Sequence, residues 1–186
     1  LGEGAFDNFI NDKSFLTDLE LALQTNSFAP SFDKFKEALI YANPISIITA
    51  RGHNPVALRK GMDLVISNTF NEEELGRMID NIQQTYSELD GETPEKILKI
   101  YLDSHEYHPV TSKIFTDKFG LESGSAANPE ENKKIALRDY VSNIVKKVSE
   151  MVYSGTEKLS VGFSDDDLGN INAIIPFIKE VLQVEF

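Results

Sequence analysis

The chain has 186 residues, of which 41% are hydrophobic, and this is enough for one domain with a sizeable buried core. Its 30 acidic and 18 basic residues give a net charge of -12. A surface this negative repels a phosphate backbone, so nucleic acid is excluded as the main partner. The sequence contains no cysteine, which excludes disulfides, thiolate metal sites and cysteine nucleophiles.

The sequence also gives no reason to expect a membrane partner. No apolar run approaches the roughly 18 residues that are needed to cross a bilayer. The first residues, from Leu1 to Asp7, have neither the basic region nor the apolar core of a signal peptide, and we therefore expect a cytoplasmic protein. Because the chain begins with Leu1 rather than Met, we also expect it to start inside a longer protein. The oligomeric state is left open.

Helix-like and strand-like patterns alternate in the first part of the chain. Apolar residues recur at helical spacing over residues 32–42, with Ser31 as the expected N-cap. The β-branched run Ile45–Ile48 predicts a buried strand that ends at Thr49.

A second helix and a second strand are expected next. Asn54 and Pro55 form a typical helix start, in which Asn caps the helix and Pro occupies the first helical position. We expect Gly61 to end this helix and Leu64–Ile66 to form the next strand.

Residues 71–125 are predicted to form a mostly helical, inserted or cap-like segment. Capped helices are expected to begin at Asn71 and at Thr93. Residues 104–125 are predicted to form a loop with a short helix.

The last part of the chain is predicted to contain a long helix that opens at Asn128-Pro129, a strand at Leu159–Phe163 and a C-terminal helix bent at Pro176. The whole pattern predicts an α/β fold over residues 1–186, in which a single Rossmann-like parallel sheet is flanked by helices. Ligands of such sheets bind at the carboxyl ends of the strands.

Polar residues follow the first predicted strand. The Thr49 hydroxyl and the backbone N–H groups of Ala50 and Arg51, which lead towards a helix, are suited to holding phosphate oxygens. His53 lies close enough in sequence to contact the same substrate. The alternative is that Thr49 caps a turn and Arg51 forms a surface ion pair.

Three adjacent carboxylates follow the last predicted strand. Asp165, Asp166 and Asp167 cannot all ionise cheaply at a strand end unless a cation or a helix N-terminus compensates them. Carboxylate oxygens together with substrate phosphate are typical ligands of Mg²⁺. The alternative is an acidic helix N-terminus that needs no metal.

Together these segments resemble motifs of the haloacid dehalogenase (HAD)-like superfamily. Ile-Ile-Thr49-Ala-Arg is similar to its second motif, and Val-Gly-Phe-Ser-Asp165-Asp166-Asp167-Leu-Gly-Asn170 is similar to its fourth. Lys133 and Lys134 stand where the third motif has a basic residue at the start of a helix. The resemblance covers about residues 31 to 182.

The resemblance implies a role for each of these side chains. Thr49 would donate a hydrogen bond to a phosphoryl oxygen, and Lys133 or Lys134 would neutralise the phosphate and the nucleophile. Asp165 would coordinate Mg²⁺ directly, while Asp166 would bind a metal-bound water or orient the lysine. Asn170 would have a supporting role.

The first motif of the superfamily, an Asp-x-Asp after an apolar strand, is not found in residues 1–44. We expect its nucleophile to lie upstream of this chain. The predicted function is a Mg²⁺-dependent phosphohydrolase that acts on a small phosphorylated substrate through an aspartyl-phosphate. A catalytically inactive HAD-like interaction module and a phosphate-binding module without hydrolysis remain as alternatives.

The other two histidines, His105 and His108, are predicted to lie in the loop of residues 104–125. We expect them to have a surface or substrate-shaping role rather than to bind metal, because two ligands alone are a weak metal signal.

Overall fold

Helices dominate the computed structural model, which describes residues 12–121, 128–150, 160–165 and 167–183. The helices are α1 (Asp12–Gln24), α2 (Phe32–Ile40), α3 (Pro55–Thr69), α4 (Glu72–Thr85), α5 (Pro94–Asp103), α6 (Lys113–Lys118), α7 (Pro129–Glu150) and α8 (Leu168–Phe177). A 3-10 turn, Ser87–Leu89, precedes α5, and a π-helical turn, Ile178–Leu182, follows α8. The strands are β1 (Ser46–Thr49) and β2 (Glu106–Pro109).

The predicted Rossmann-like α/β sheet is wrong. In the described part of the chain only β1 and β2 pair, as a parallel ladder in which Ser46 lies opposite Glu106 and Thr49 opposite Pro109. The strand predicted at Ile45–Ile48 is confirmed as β1. The strand predicted at Leu64–Ile66 is part of α3 instead, and residues 160–163 form no strand, while Leu159 lies outside the described residues.

Helix α3 continues through Gly61, and the close packing of α1 accounts for a glycine at this position. A Cβ atom at this position would lie 2.9 Å from Cε1 of Phe15 and 3.1 Å from Cδ2 of Leu19. Glycine therefore favours the close approach of α1, and it does not end the helix. The apolar residues Val65 and Ile66 are buried within the same helix, because a short apolar run fits a buried helical turn as well as a strand.

The predicted starts of the helices are largely confirmed. Asn54 Oδ1 accepts a hydrogen bond from Val56 N at 2.9 Å, and Asn71 and Glu74 form a complete capping box. The Thr93 side chain accepts from the backbone N–H of Lys96. Ser31 precedes α2 as expected, but its side chain forms no capping hydrogen bond.

Residues 104–125 contain a strand in a segment where the sequence predicts a loop. β2 was predicted as loop, yet it pairs with β1, and His105 and His108 are 6% and 5% exposed. The predicted surface position of these two histidines is therefore wrong. The helical segment of residues 71–125 also shares one core with α2 and α3, because residues of α4 and α5 belong to the same buried cluster.

The two faces of the sheet pack against different parts of the protein. Ile47 and Tyr107 contact the largest buried cluster, which is formed by α2, α3, α4 and α5. Ile48 faces the other way and contacts two smaller clusters that contain Ala136 and Leu137 of α7. β1 thus brings α7 against the carboxyl end of the sheet. Among the described helices, none combines the length and the apolar character that a membrane crossing requires.

Candidate functional site

A buried ion pair between Lys133 and Asp165 is the centre of the candidate site. Nζ of Lys133 lies 2.7 Å from Oδ2 of Asp165, and the two side chains are 8% and 10% exposed. The other oxygen, Oδ1, accepts hydrogen bonds from Asn170 Nδ2 at 3.0 Å and from the backbone N of Asp167 at 2.9 Å. Three donors therefore fix the position of this one carboxylate.

These donors keep Asp165 ionised. Burial by itself raises the pKa of the carboxyl group, but the hydrogen bonds from Lys133, from Asn170 and from the Asp167 N–H outweigh it and hold the pKa below its usual value. Asp165 is thus a carboxylate at neutral pH. An ionised carboxylate has about four lone-pair positions, and three are used by donors of the described chain. The remaining position could accept a water or a cation.

Hydrogen bonds connect the start of α7 to the ends of both strands. Asn132, which precedes Lys133 and is 2% exposed, donates from Nδ2 to the carbonyl oxygen of Val110 at 2.9 Å. Val110 N in turn donates to the carbonyl oxygen of Thr49 at 2.8 Å. Lys133 is therefore positioned by the strand ends as well as by its own helix.

The residues after β1 form a hydrogen-bonded turn. Thr49 Oγ1 accepts from Arg51 N at 3.2 Å, and the carbonyl oxygen of Ala50 accepts from the Thr111 hydroxyl at 2.7 Å. Because the Thr49 oxygen is the acceptor here, its own hydrogen can still be donated to a ligand. Arg51 extends towards α1, where its Nη1 lies 3.5 Å from Asp18 Oδ2.

Among the described residues, Lys134 and His53 have other partners than the Lys133–Asp165 pair. Lys134 pairs with Glu131 at 2.6 Å on the outer side of α7, so Lys133 is the lysine that faces Asp165. His53 is fully buried, with its ring centroid 5.3 Å from that of Phe15. Asp166 lies outside the described residues.

The position of Lys133 carries a free-energy cost, so stability alone does not explain a lysine there. It is the fifth residue of α7, close to the end at which the helix dipole is positive. A cation is disfavoured there, and burying it adds a desolvation cost that a single carboxylate offsets only with good geometry. A buried cation beside a helix N-terminus is, however, well suited to bind an anion such as a phosphate group.

Asn132 and a second polar cluster are not among the residues that the sequence predicts for a site. Asn132 adjoins the predicted lysines, but nothing in its spacing indicates a contact with Val110. The second cluster consists of Glu106, His108 and Asp139, whose ligand atoms lie within 4.8 Å of one another. The alternation of Glu106-Tyr107-His108 has the period of a strand and could have placed Glu106 and His108 on one face.

No protein-family model matches this chain, and searches of curated proteins and of solved structures likewise find no match. The resemblance to the HAD-like superfamily therefore stays a prediction, based on the motifs quoted above.

Proposed function

We propose that this chain supplies the phosphate-binding and Mg²⁺-binding part of a phosphohydrolase site of the HAD-like type, acting on a small phosphorylated substrate. The observation that carries the proposal is the ion pair of Lys133 and Asp165, in which both partners are about nine-tenths buried. Such a pair contributes little to stability compared with apolar residues of similar size, so a functional reason for it is favoured. The cytoplasmic location expected from the sequence is part of the same proposal.

Each residue has a distinct role in this proposal. The Lys133 ammonium group and the N-terminal end of α7 bind the phosphoryl oxygens and neutralise their charge. The Thr49 hydroxyl donates to another phosphoryl oxygen. Asp165 orients the lysine and offers its remaining lone pair to the metal or to a metal-bound water. Mg²⁺, when bound, would further neutralise the phosphate.

The attacking group is not assigned to any residue of this chain. By the resemblance, an aspartate carboxylate attacks phosphorus, the alcohol of the substrate leaves, and water then hydrolyses the aspartyl-phosphate. Residues 1–44 contain no Asp-x-Asp that would provide this nucleophile. The proposal for this chain is therefore tested first by binding and then by turnover.

Binding is measured by calorimetric titration with inorganic phosphate in the presence of Mg²⁺. Hydrogen bonds to charged groups contribute about 1.5–3 kcal/mol, so Lys133→Met should weaken phosphate binding at least about tenfold. Lys134→Met is the matched control, because this neighbouring lysine pairs with Glu131 and should leave the affinity unchanged. If phosphate does not bind, or if both variants bind it as the wild type does, the site is wrongly assigned.

A second candidate is a module that binds phosphate without hydrolysis, which is the other phosphate-related alternative given by the sequence. It is favoured by the three protein donors that already occupy most of the acceptor positions of Asp165. A panel of phosphomonoesters distinguishes the two candidates. Mg²⁺-dependent turnover that Lys133→Met abolishes supports the phosphohydrolase, whereas phosphate binding without turnover of any ester supports the binding module.

A further inference from the structure

Glu106, His108 and Asp139 form a second polar cluster, distinct in composition from the Lys133–Asp165 pair. Glu106 and His108 are two positions apart on β2, and their side chains therefore project to the same face of the strand. Asp139 reaches this face from α7. One ligand atom from each of the three residues lies within 4.8 Å of the other two.

We propose that these three side chains bind a divalent transition metal, with Zn²⁺ as the best match. One imidazole nitrogen and two carboxylate oxygens form a ligand set that suits Zn²⁺, whereas Mg²⁺ prefers oxygen ligands alone. Ligands placed about 2.0–2.2 Å from a tetrahedral Zn²⁺ lie about 3.4 Å from one another. The three ligand atoms already lie within 4.8 Å of one another, so rotation of the partly exposed Glu106 and Asp139 side chains has to close a gap of at most about 1.4 Å.

The hydrogen bonds around the cluster favour metal binding. His108 Nε2 lies 2.8 Å from Glu106 Oε2, and the other oxygen, Oε1, accepts from Asn143 Nδ2 at 3.0 Å. Asn143 therefore orients the glutamate in the way that hydrogen-bond partners orient metal ligands. Zn²⁺ would replace the proton that Nε2 and Oε2 share, and that proton would pass to solvent.

Lys118 competes with a metal for the third ligand. Its Nζ lies 2.7 Å from Asp139 Oδ2, and its side chain is 50% exposed. The ammonium group neutralises Asp139 when no metal is bound, and an exposed lysine can swing into solvent at little cost. Without the lysine, the cluster has two negative charges, which match the charge of a divalent cation.

A cavity beside the cluster leaves room for a further metal ligand. Its volume is about 320 Å³, and Glu106, His108, Lys118 and Asn143 are among the residues that line it. Three protein ligands with an accessible fourth position are typical of zinc sites that bind water or a small ligand. The cavity therefore indicates a site that a small molecule can reach, rather than a closed structural site.

The test is a titration of the 186-residue chain with Zn²⁺ in competition with a chromophoric chelator. We expect one equivalent of Zn²⁺ at this cluster. Asp139→Asn removes a direct ligand and should weaken binding at least as much as the roughly 10–100-fold loss that is typical of removing a residue that orients a ligand. Asp117→Asn is the control, because this exposed carboxylate on α6 pairs with Lys113 and should leave the affinity unchanged.

Lys118→Gln should change the Zn²⁺ affinity in the opposite direction to Asp139→Asn. Removal of the competing ammonium group should tighten Zn²⁺ binding several-fold, whereas a merely structural cluster would show no such gain. Absence of stoichiometric Zn²⁺ binding would overturn the proposal. It would also be overturned if Asp139→Asn and His108→Gln both bound Zn²⁺ as the wild type does.

Two further measurements separate the loss of a Zn²⁺ ligand from a loss of folding and from effects at the phosphate site. Circular dichroism shows whether His108→Gln folds, and Asp139→Asn, a half-buried position, carries the test if it does not. Asp165→Asn should leave this Zn²⁺ affinity unchanged. The zinc site and the proposed phosphate site can therefore fail independently of each other.

Discussion

Lys133 and Asp165 are 32 positions apart in the chain, yet the ammonium nitrogen of one lies 2.7 Å from a carboxylate oxygen of the other. The contact joins the first turns of α7 to the residues that precede α8. Each partner is compensated mainly by the other in a place that water hardly reaches. The consequences of removing one partner are therefore large and specific.

Lys133→Met should destabilise the protein by about 3 kcal/mol, because it leaves Asp165 as a buried carboxylate without its cation. Urea unfolding followed by circular dichroism measures this loss. Lys134→Met should change the free energy of unfolding by less than about 0.5 kcal/mol, since its ion pair with Glu131 is exposed. Adding Asp165→Asn to Lys133→Met should restore part of the stability, because the amide carries no charge. Equal effects of the two lysine variants would contradict the burial of the pair.

Asn132→Leu should weaken both stability and phosphate binding. The variant leaves the carbonyl oxygen of Val110 without its side-chain donor, at a cost of about 1–3 kcal/mol, and it loosens the start of α7 beside Lys133. Asn81→Leu is a matched control, because Asn81 donates to the carbonyl oxygen of Ile40 at 2.7 Å in another part of the fold. It should lower stability by a similar amount and leave phosphate affinity unchanged. Equal phosphate affinity in the two variants would argue against a positioning role for Asn132.

Gly61→Ala should lower the free energy of unfolding by about 1 kcal/mol. The gain in helix propensity is about 1 kcal/mol, but overpacking against Phe15 and Leu19 costs about 1–3 kcal/mol. Gly76→Ala in α4 is the control, because a Cβ atom there has no neighbour within 4 Å in the described chain. This exposed change should stabilise the protein by up to about 1 kcal/mol. Thermal unfolding of both variants checks the opposite signs, and stabilisation by Gly61→Ala would mean that α1 packs less closely than described.

His105 should make the protein sensitive to mild acid. Burial lowers its pKa from the usual 6.5 to about 4, and the positive charges of Arg59 and Lys147 add to this effect. Between these two pH values the unfolded chain binds a proton that the folded protein does not, so stability is full above pH 6.5 and falls as the pH is lowered. Below about pH 4 this group causes no further loss.

His105→Phe should remove that part of the pH dependence while keeping an aromatic ring beside Tyr101, whose ring centroid lies 4.4 Å from that of His105. The measurement is the free energy of unfolding in urea at several pH values between 4 and 7. The wild type should lose about 3 kcal/mol more than the variant over this range. Carboxyl groups with lowered pKa values, such as that of Asp165, are present in both proteins, so their contribution cancels in the difference between the two profiles. Parallel pH profiles would show that His105 is protonated in the folded protein.

The sequence predicts local features of this fold better than its architecture. The helix starts at Asn54, Asn71 and Thr93 are confirmed. Each depends only on the capping residue and on residues up to three positions after it. The number of strands depends on which apolar segments pair with each other through contacts between distant parts of the chain. The apolar pattern of Leu64–Ile66 does not distinguish a buried helix from a strand, so the sequence predicts a strand, and hence a larger sheet, where the structure has a turn of α3.

The same distinction applies to the candidate sites. The resemblance to the HAD-like motifs implied that Lys133 or Lys134 shares one site with Asp165, but the choice between the two lysines depends on the rotation of α7. The cluster around His108 was missed because Asp139 joins it only through the packing of α7 on β2. Contacts of this kind leave no local pattern to recognise.

The parallel pairing of β1 and β2 also determines when these sites can form during folding. Ser46 pairs with Glu106, sixty positions further along the chain, and α3, α4 and α5 lie between them. Closing so long a loop is entropically costly until the intervening helices have packed, and contacts of high sequence separation slow folding. Val110, which connects Thr49 to Asn132, can take its place only after the two strands have met. The candidate site around Lys133 and Asp165 is therefore expected to assemble late, after the helical core.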